Sequence, residues 1–257
     1  MSQRLMRKAK KSTTTLTSLL PSIVTLASLC IALSAIISSM NGDFLRATSF
    51  LLFAGFMDGV DGRLARYLDS ESEFGAQLDS LVDFVNFGVV PAFIVYFWIN
   101  HSYEIKFFDW AMVLFFAVCA AIRLARFNAD LASNGNANPI LEKYFFKGIP
   151  APVGAAISLL PMILSYEFGD GFYTNPYFIL IHVSSTALFM ASTVPTISIK
   201  KIPIRNDYTY LTLVIIATII IGLLVKPWLT LALIGSIYAI SIPVTIFSYT
   251  YIRSKNV

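Results

Sequence analysis

Charged side chains are scarce in this chain of 257 residues, of which only 13% are Asp, Glu, Lys or Arg. Soluble domains carry about 25% charged residues, so a water-facing surface of ordinary size is excluded. Hydrophobic residues make up 56% of the chain, which is typical of a protein that crosses a membrane several times. The formal net charge of +4 does not indicate nucleic acid, because the basic residues stand at the ends of apolar segments.

Cysteine and histidine are almost absent, with two residues of each. Cys30 and Cys119 fall inside apolar stretches, which argues against a disulfide framework and favours inert buried thiols. His101 and His182 stand alone in the sequence, so we interpret both as packed side chains rather than metal ligands.

Eight apolar segments predict an all-α, polytopic membrane helix bundle. They cover residues 19–40, 44–64, 77–99, 110–124, 148–166, 177–194, 210–225 and 228–251. The basic stretch before the first segment resembles the start of a signal peptide. The apolar part runs for roughly 20 residues, however, beyond the 7–15 of a signal peptide, so we expect a retained transmembrane helix.

The distribution of basic residues predicts the orientation. With the N-terminus inside, only Arg46, Lys106 and Lys226 of the 19 lysines and arginines fall outside. This bias predicts cytoplasmic N- and C-termini and places the polar ends of the second and third segments at the cytoplasmic face. We expect a multi-pass protein of a bacterial or archaeal plasma membrane, since no cleaved targeting peptide is indicated.

Four aspartates interrupt the apolar sequence at fixed offsets. The pattern reads Asp58-x-x-Asp61-Gly62-x-x-Ala65-Arg66 and, after eight intervening residues, Gly75-x-x-x-Asp79-x-x-x-Asp83. Spacings of three and four residues put each pair of carboxylates on one face of a helix. One aspartate at the centre of a membrane helix costs roughly 2.5–3.5 kcal/mol, so these four require a cationic partner.

Divalent metal is the partner that these carboxylates favour. A short connection makes the two helices antiparallel neighbours, so the pairs face each other and suit Mg²⁺ or Mn²⁺. Two such ions about 4 Å apart clamp the attacking and leaving oxygens of a phosphoryl transfer. Salt-bridged packing and the ion pathway of a proton-coupled transporter are the alternatives. A transporter, however, is expected to carry acidic residues near mid-membrane on several helices, often with internal repeats.

The run from Asp58 to Asp83 resembles, position by position, the signature of the CDP-alcohol phosphatidyltransferases. These membrane enzymes displace CMP from a CDP-linked lipid or alcohol with a hydroxyl nucleophile. The resemblance implies a core of six transmembrane helices, a homodimer and an active site open to the cytoplasm. It implies a core at residues 19–194, preceded by a basic cytoplasmic segment at 1–18 and followed by two additional helices within 195–257.

The same resemblance implies roles for individual residues. Asp58, Asp61 and Asp79 would hold two divalent cations, and Asp83 would serve both as a ligand and as the general base. CDP-diacylglycerol would contact a further set of residues: Thr25, Gly62, Ala65, Arg66, Ser72 and Gly75.

The flanking motifs resemble those of bacterial and archaeal phosphatidylserine synthases within this family. These motifs are Phe74-Gly75-x-x-Leu78-Asp79-Ser80-Leu81-x-Asp83-x-x-Asn86-Phe87-Gly88-x-x-Pro91-Ala92, Arg123-Leu124-Ala125-Arg126-Phe127-Asn128 and Phe146-Lys147-Gly148-Ile149-Pro150. Two positions depart from the pattern, because relatives commonly carry Ser in place of Asn86 and Asn in place of Ser22.

L-serine is therefore the implied acceptor. Arg123, Arg126 and Lys147 would bind its carboxylate or a phosphate, unless they only anchor helix ends. A sibling transferase that uses glycerol 3-phosphate, inositol phosphate or another alcohol is the main alternative, and a cation- or proton-coupled transporter is a more remote one.

Overall fold

The computed structural model describes residues 16–102, 108–132, 145–197 and 208–255. Within these ranges it holds ten α-helices: α1 Leu16–Met40, α2 Phe44–Tyr67, α3 Glu73–Phe84, α4 Val90–Ser102, α5 Phe108–Ala132, α6 Ala151–Ser158, α7 Leu160–Phe168, α8 Pro176–Ala191, α9 Thr209–Val225 and α10 Pro227–Lys255. A π-helical turn at Val85–Val89 joins α3 to α4, and a 3₁₀ turn at Phe172–Thr174 precedes α8. Two three-residue strands complete the elements, β1 Phe145–Lys147 and β2 Pro195–Ile197.

Helices occupy all eight apolar segments that the sequence predicts. Four stretches are individually long and apolar enough to cross a membrane: Ser18–Met40, Glu73–His101, Phe108–Asp130 and Pro227–Thr245. The bent pair of α6 and α7 adds up to one more. Although α2 has 24 residues, it carries the polar aspartate motif, and α8 and α9 are shorter, with 16 and 17 residues. The fold is thus an all-helical membrane bundle, and eight crossings remain a prediction.

A break at Leu159 divides the predicted fifth segment into two helices that meet at 42°. Pro161 lies in the first turn of α7 and has no amide proton to continue the preceding helix. The carbonyl of Ile157 accepts a hydrogen bond from Nε2 of His182 on α8, at 2.8 Å. His182 therefore packs as a satisfied side chain, as predicted, and it stabilises the break.

The π-helical turn after α3 packs closely against α5. A Cβ atom at Gly88 would lie 2.8 Å from Cβ of Ala120, a separation that real side chains essentially never show. Glycine is therefore required where this turn meets α5. Around the contact lies the apolar core, in which Val90, Ile94 and Phe116 are fully buried. Apolar side chains such as Ile181 and Leu188 remain exposed on the outside, as lipid-facing residues do.

The strands β1 and β2 form an antiparallel pair, here called the strand clip, with Phe146 opposite Thr196. It joins the connection before α6 to the connection after α8. Gly148 follows β1 with φ +78°, and its amide donates to the carbonyl of Val194 at 2.7 Å. A Cβ atom there would lie 2.6 Å from the carbonyl oxygen of Ser192, so both the backbone angle and the space require glycine.

Candidate active site

Three of the four aspartates converge between α2 and α3. Asp58, Asp61 and Asp79 each offer a carboxylate oxygen that lies within 4.8 Å of the other two. Asp61 is 3% exposed, whereas Asp58 and Asp79 are half-buried. The spacing in the sequence predicts this convergence, and the structure contains it.

Asp83 adjoins this group from the next turn of α3. Its side chain adjoins that of Asp58, and it is not one of the three residues that share the 4.8 Å cluster. Asp83 is therefore outside the group of three converging carboxylates but next to one of its members.

The carboxylate cluster fits a divalent cation. In the part of the chain that the structure describes, the Oδ1 atom of Asp58 is buried without a hydrogen-bond partner, and no lysine or arginine forms an ion pair with the four aspartates. The nearby Arg66 instead donates its Nε to the carbonyl of Gly62 at 3.0 Å. Carboxylates this close repel one another unless a cation lies among them. An all-oxygen donor set is the one that Mg²⁺ and Mn²⁺ prefer.

The connection at residues 68–72 sets how α2 and α3 face each other. Asp69 adopts φ +46°, a left-handed conformation that aspartate tolerates better than most residues. Ser72 then caps α3, since its Oγ accepts a hydrogen bond from the amide of Gly75 at 3.0 Å. This short reversal turns the chain from α2 into α3 and brings their aspartates together.

Helix α1 contributes a third side to the site. The hydroxyl of Thr25 donates to Oδ2 of Asp61 at 2.6 Å, and Thr25 is itself buried. One turn further along α1, the Oγ of Ser28 accepts a hydrogen bond from Nδ2 of Asn86 in the π-helical turn, at 3.1 Å. The sequence motifs do not predict either contact, because both depend on the rotation of α1 against α2 and α3.

A cavity of about 300 Å³ opens beside the carboxylates. Five of the six residues predicted to contact CDP-diacylglycerol line it: Thr25, Gly62, Ala65, Ser72 and Gly75. Asp61 and Asp79 also line it, so the cavity and the carboxylate cluster share two residues. Arg66 is not part of this lining, and its side chain is exposed.

The cavity also includes residues that the sequence analysis does not assign to substrate. These are Ser18, Pro21, Ser22, Ser70, Glu71 and Ala76. Ser18 and Ser22 precede Thr25 on α1 by seven and three residues, which is the helical spacing of one face. That periodicity is a signal from which both serines could have been predicted.

Arg123 and Arg126 hold backbone carbonyls beside the strand clip. Nε of the buried Arg123 donates to Ile149 at 3.1 Å. Nη2 of Arg126 donates to Ala191 at 2.7 Å and to Met190 at 3.4 Å.

Sequence spacing places both arginines on one face of α5, but only the structure shows that this face meets backbone carbonyls. The backbone of Lys147 lies in β1, and its side chain is outside the described part of the chain.

One hydrogen bond ties this end of α5 to the aspartate helix. Nδ2 of Asn128 donates to Oγ of Ser80 at 2.6 Å, and Ser80 directly follows Asp79. Helix α5, which carries the two arginines, is therefore held next to the carboxylate cluster. Membrane-spanning helices around an acidic centre and a polar cavity define a membrane enzyme with a carboxylate metal site.

Comparison with known proteins identifies the family. The family model described as CDP-alcohol phosphatidyltransferase matches residues 18–198, and a second one, described as CDP-alcohol phosphatidyltransferase 2, matches residues 207–243. The chain therefore belongs to the CDP-alcohol phosphatidyltransferase family.

Several relatives carry the name CDP-diacylglycerol–serine O-phosphatidyltransferase. One from Mycobacterium tuberculosis is 33% identical over 234 residues, which cover 91% of this chain and 80% of that relative. One from Helicobacter pylori is 30% identical over 224 residues, covering 86% and 88%. One from Methanocaldococcus jannaschii is 34% identical over 122 residues, covering 48% and 53%.

Proposed function

We propose that this chain transfers the phosphatidyl group of CDP-diacylglycerol to the hydroxyl of L-serine, giving phosphatidylserine and CMP. The observation that carries the proposal is the convergence of Asp58, Asp61 and Asp79 at the edge of a polar cavity. The names of the bacterial and archaeal relatives support serine as the acceptor. The flanking motifs around Asp79 and Arg123 support it as well.

The cavity is the proposed site for the cytidine and the diphosphate. Gly62, Ala65 and Gly75 leave room beside the carboxylates because their side chains are absent or small. Ser72 offers a hydroxyl group at its wall, which Thr25 also lines, and Arg66 lies one turn of α2 beyond Gly62. An exposed arginine at that place suits a diphosphate oxygen.

Two divalent cations, Mg²⁺ or Mn²⁺, complete the proposed site, with Asp58, Asp61, Asp79 and Asp83 as ligands. When bound, they supply positive charge to the diphosphate oxygens and lower the pKa of the acceptor hydroxyl. The protein's own contribution is rigidity, since the four carboxylates stand on two helices joined by a capped reversal.

The reaction exchanges one phosphorus–oxygen bond for another. The hydroxyl oxygen of serine bonds to the β-phosphorus, which carries the diacylglycerol. The bond from that phosphorus to the bridging oxygen breaks, and CMP leaves with the electron pair. Asp83 accepts the hydroxyl proton as general base. It stands one turn after Asp79 on α3, next to the three-carboxylate cluster.

Arg123 is the proposed partner of the serine carboxylate, with Arg126 and Lys147 adding positive charge around it. In the described part of the chain Nε of Arg123 donates to the carbonyl of Ile149, and the guanidinium lies 5.5 Å from the ring centroid of Phe127. A planar guanidinium binds a carboxylate through two parallel hydrogen bonds. The hydrogen bond from Asn128 to Ser80 keeps this arginine's helix beside the reacting groups.

The proposed topology has eight crossings, with both termini and the active site in the cytoplasm of a bacterial or archaeal cell. Residues 19–194 form the catalytic core, residues 195–257 add two helices, and the protein is a homodimer. Only Arg46, Lys106 and Lys226 of the 19 basic residues fall outside the predicted inner segments, which supports the orientation. One of them, Lys226, pairs at 3.6 Å with Glu167, so the α9–α10 turn lies next to the end of α7.

A CMP-release assay on the purified full-length chain tests the proposed function. The assay uses CDP-diacylglycerol with Mn²⁺ or Mg²⁺ and compares L-serine, glycerol 3-phosphate and inositol phosphate as acceptors. We expect release with L-serine, and a loss of at least about 100-fold in Asp83→Asn.

Three other outcomes would contradict the proposal in different ways. CMP release with another alcohol would be consistent with the family but would contradict L-serine as the acceptor. Full activity of Asp83→Asn would overturn the general base. A folded protein that binds Mn²⁺ but releases no CMP with any acceptor would favour a cation- or proton-coupled transporter.

A further inference from the structure

A chain of hydrogen bonds crosses three segments behind the carboxylate cluster. The hydroxyl of Thr25 donates to Oδ2 of Asp61 at 2.6 Å. The hydroxyl of Ser28 donates to the backbone carbonyl of Thr25 at 2.8 Å, and Nδ2 of Asn86 donates to Oγ of Ser28 at 3.1 Å. A carboxylate on α2 is thereby connected through α1 to the π-helical turn that follows Asp83.

Deep burial distinguishes Thr25, Ser28 and Asn86 from the ordinary polar residues of a membrane helix. Thr25 is 4% exposed, and Ser28 and Asn86 are completely buried. In the described part of the chain, Ser34, Ser38 and Ser39 of α1 each donate to a carbonyl of their own helix. That pattern is common and carries no functional meaning. Thr25 and Ser28 differ because each also contacts a side chain from another segment.

Asn86 is not explained by packing. Its Oδ1 atom is buried and has no hydrogen-bond partner in the described part of the chain. A leucine of similar size would fill the same space without burying an unpaired oxygen. The side chain also stands in a π-helical turn, Val85–Val89, and such turns are frequent at functional sites.

Thr25 has one hydroxyl proton and two acceptors in reach. The carbonyl of Pro21 lies at 3.0 Å and the carboxylate of Asp61 at 2.6 Å. A hydrogen bond to an ionised group is the shorter and stronger kind, so the proton belongs to Asp61. The hydroxyl therefore has no second proton to donate to CDP-diacylglycerol, the ligand that the family resemblance implies for Thr25.

We propose that Thr25, Ser28 and Asn86 are positioning residues, which hold the carboxylate of Asp61 in the orientation that binds the divalent cation. The inference rests on the metal site of the proposed function. Thr25 restrains rotation of the carboxylate, and Ser28 and Asn86 fix the segment of α1 that carries Thr25. Partners that orient a metal ligand in this way contribute about 10- to 100-fold in metal affinity.

Mn²⁺ binding without any substrate tests the proposal. Free Mn²⁺ is followed by electron paramagnetic resonance as it is titrated into the purified full-length protein. Thr25→Val removes the hydroxyl at nearly constant volume, and Asn86→Leu removes the amide. We expect both to weaken Mn²⁺ binding by about tenfold.

Two variants control for unrelated damage. Thr25→Ser keeps the hydroxyl and is expected to bind Mn²⁺ as the wild type does. Ser34→Ala removes a hydroxyl that bonds only within α1 and is also expected to have no effect. Each variant has to show the circular dichroism and the gel-filtration profile of the wild type.

The outcomes separate this proposal from the proposed function. Unchanged Mn²⁺ affinity in Thr25→Val, together with a raised KM for CDP-diacylglycerol, would overturn it and make Thr25 a substrate contact. Unchanged Mn²⁺ affinity in Asn86→Leu would contradict the positioning role of Ser28 and Asn86. If the wild type released no CMP with any acceptor, weakened Mn²⁺ binding in Thr25→Val would still support the positioning role.

Discussion

The contact between the π-helical turn and α5 allows a sharp test with one methyl group. In Gly88→Ala the new Cβ atom would lie 2.8 Å from Cβ of Ala120 and 3.2 Å from Cδ2 of Phe84. Ordinary contacts begin at 3.4 Å, so Ala120 has to retreat by about 0.6 Å. A Cβ atom cannot rotate away from its own backbone. The retreat therefore displaces α5 as a whole from the turn.

The expected damage has two parts. Overpacking of this kind typically costs about 1–3 kcal/mol in the free energy of unfolding. Helix α5 also carries Arg123, and Asn128 on the same helix bonds to Ser80 beside Asp79. A misplacement of about 1 Å at an active site lowers rates by roughly 100-fold, so a shift of about 0.6 Å is expected to lower CMP release about tenfold.

A second glycine on the neighbouring helix provides the matched control. Gly59 lies on α2, and a Cβ atom there would have no atom within 4 Å. Gly59→Ala is therefore expected to keep full activity and to gain up to about 1 kcal/mol, because alanine favours a helix more than glycine does. Unfolding by SDS in mixed micelles, followed by circular dichroism, gives the free energy for both variants.

Either of two results would refute the reasoning about Gly88. Wild-type stability and activity in Gly88→Ala would mean that the turn and α5 do not pack at the distance found here. Equal damage in Gly59→Ala would mean that loss of a glycine itself, rather than the collision with Ala120, causes the effect.

Three further perturbations test other parts of the site. Ser72→Ala removes the cap of α3 and is expected to lower the free energy of unfolding by about 1 kcal/mol. Ser72→Thr keeps a hydroxyl and is expected to restore most of this stability. Equal stability of the alanine and threonine variants would argue against the cap. Arg126→Gln removes the charged donor to Met190 and Ala191 and is expected to lower the free energy of unfolding by about 1–3 kcal/mol in the same SDS titration. An unchanged free energy of unfolding would show that the strand clip does not depend on Arg126. Chelation with EDTA is expected to abolish CMP release, and added Mn²⁺ to restore it; activity that survives dialysis against EDTA would contradict a required metal.

Composition and hydrophobic periodicity are sufficient to predict where the helices lie, because lipid accepts only segments that satisfy their own backbone. The same information does not predict the break at Leu159. Pro161 signals a disturbance locally, yet the bend also needs His182, a residue from α8, to accommodate the carbonyl of Ile157. The strand clip cannot be predicted from local sequence either, because each three-residue strand pairs with a segment far along the chain.

The end of α8 could have been predicted more closely. The predicted segment runs to Val194, whereas the helix ends at Ala191. Val194 precedes Pro195, and a residue before proline disfavours helical angles. The restriction before proline therefore predicts that the helix ends before Val194, although the apolar sequence by itself predicts a longer helix.

Within the site, sequence spacing predicts what lies on one helix but not what faces it. Asp58 and Asp61 share a face of α2 because they are three residues apart, and a short reversal brings Asp79 opposite them. The contact of Thr25 with Asp61 depends on how α1 is rotated, which no local pattern specifies. Arg123 also shares a face with Arg126, but the carbonyls that they meet belong to distant segments.

Helix α9 has a consequence for how this protein can be altered. None of its 17 residues is buried against the described part of the chain, and its neighbour in that part is α10. Substitution of Gly222 is restricted, because a Cβ atom there would lie 2.6 Å from Oγ1 of Thr230. Lipid tails do not distinguish one order of apolar residues from another. The apolar side chains of α9 other than at Gly222 are therefore expected to tolerate exchange for one another better than those of the core, which makes this helix a suitable place for a spectroscopic label.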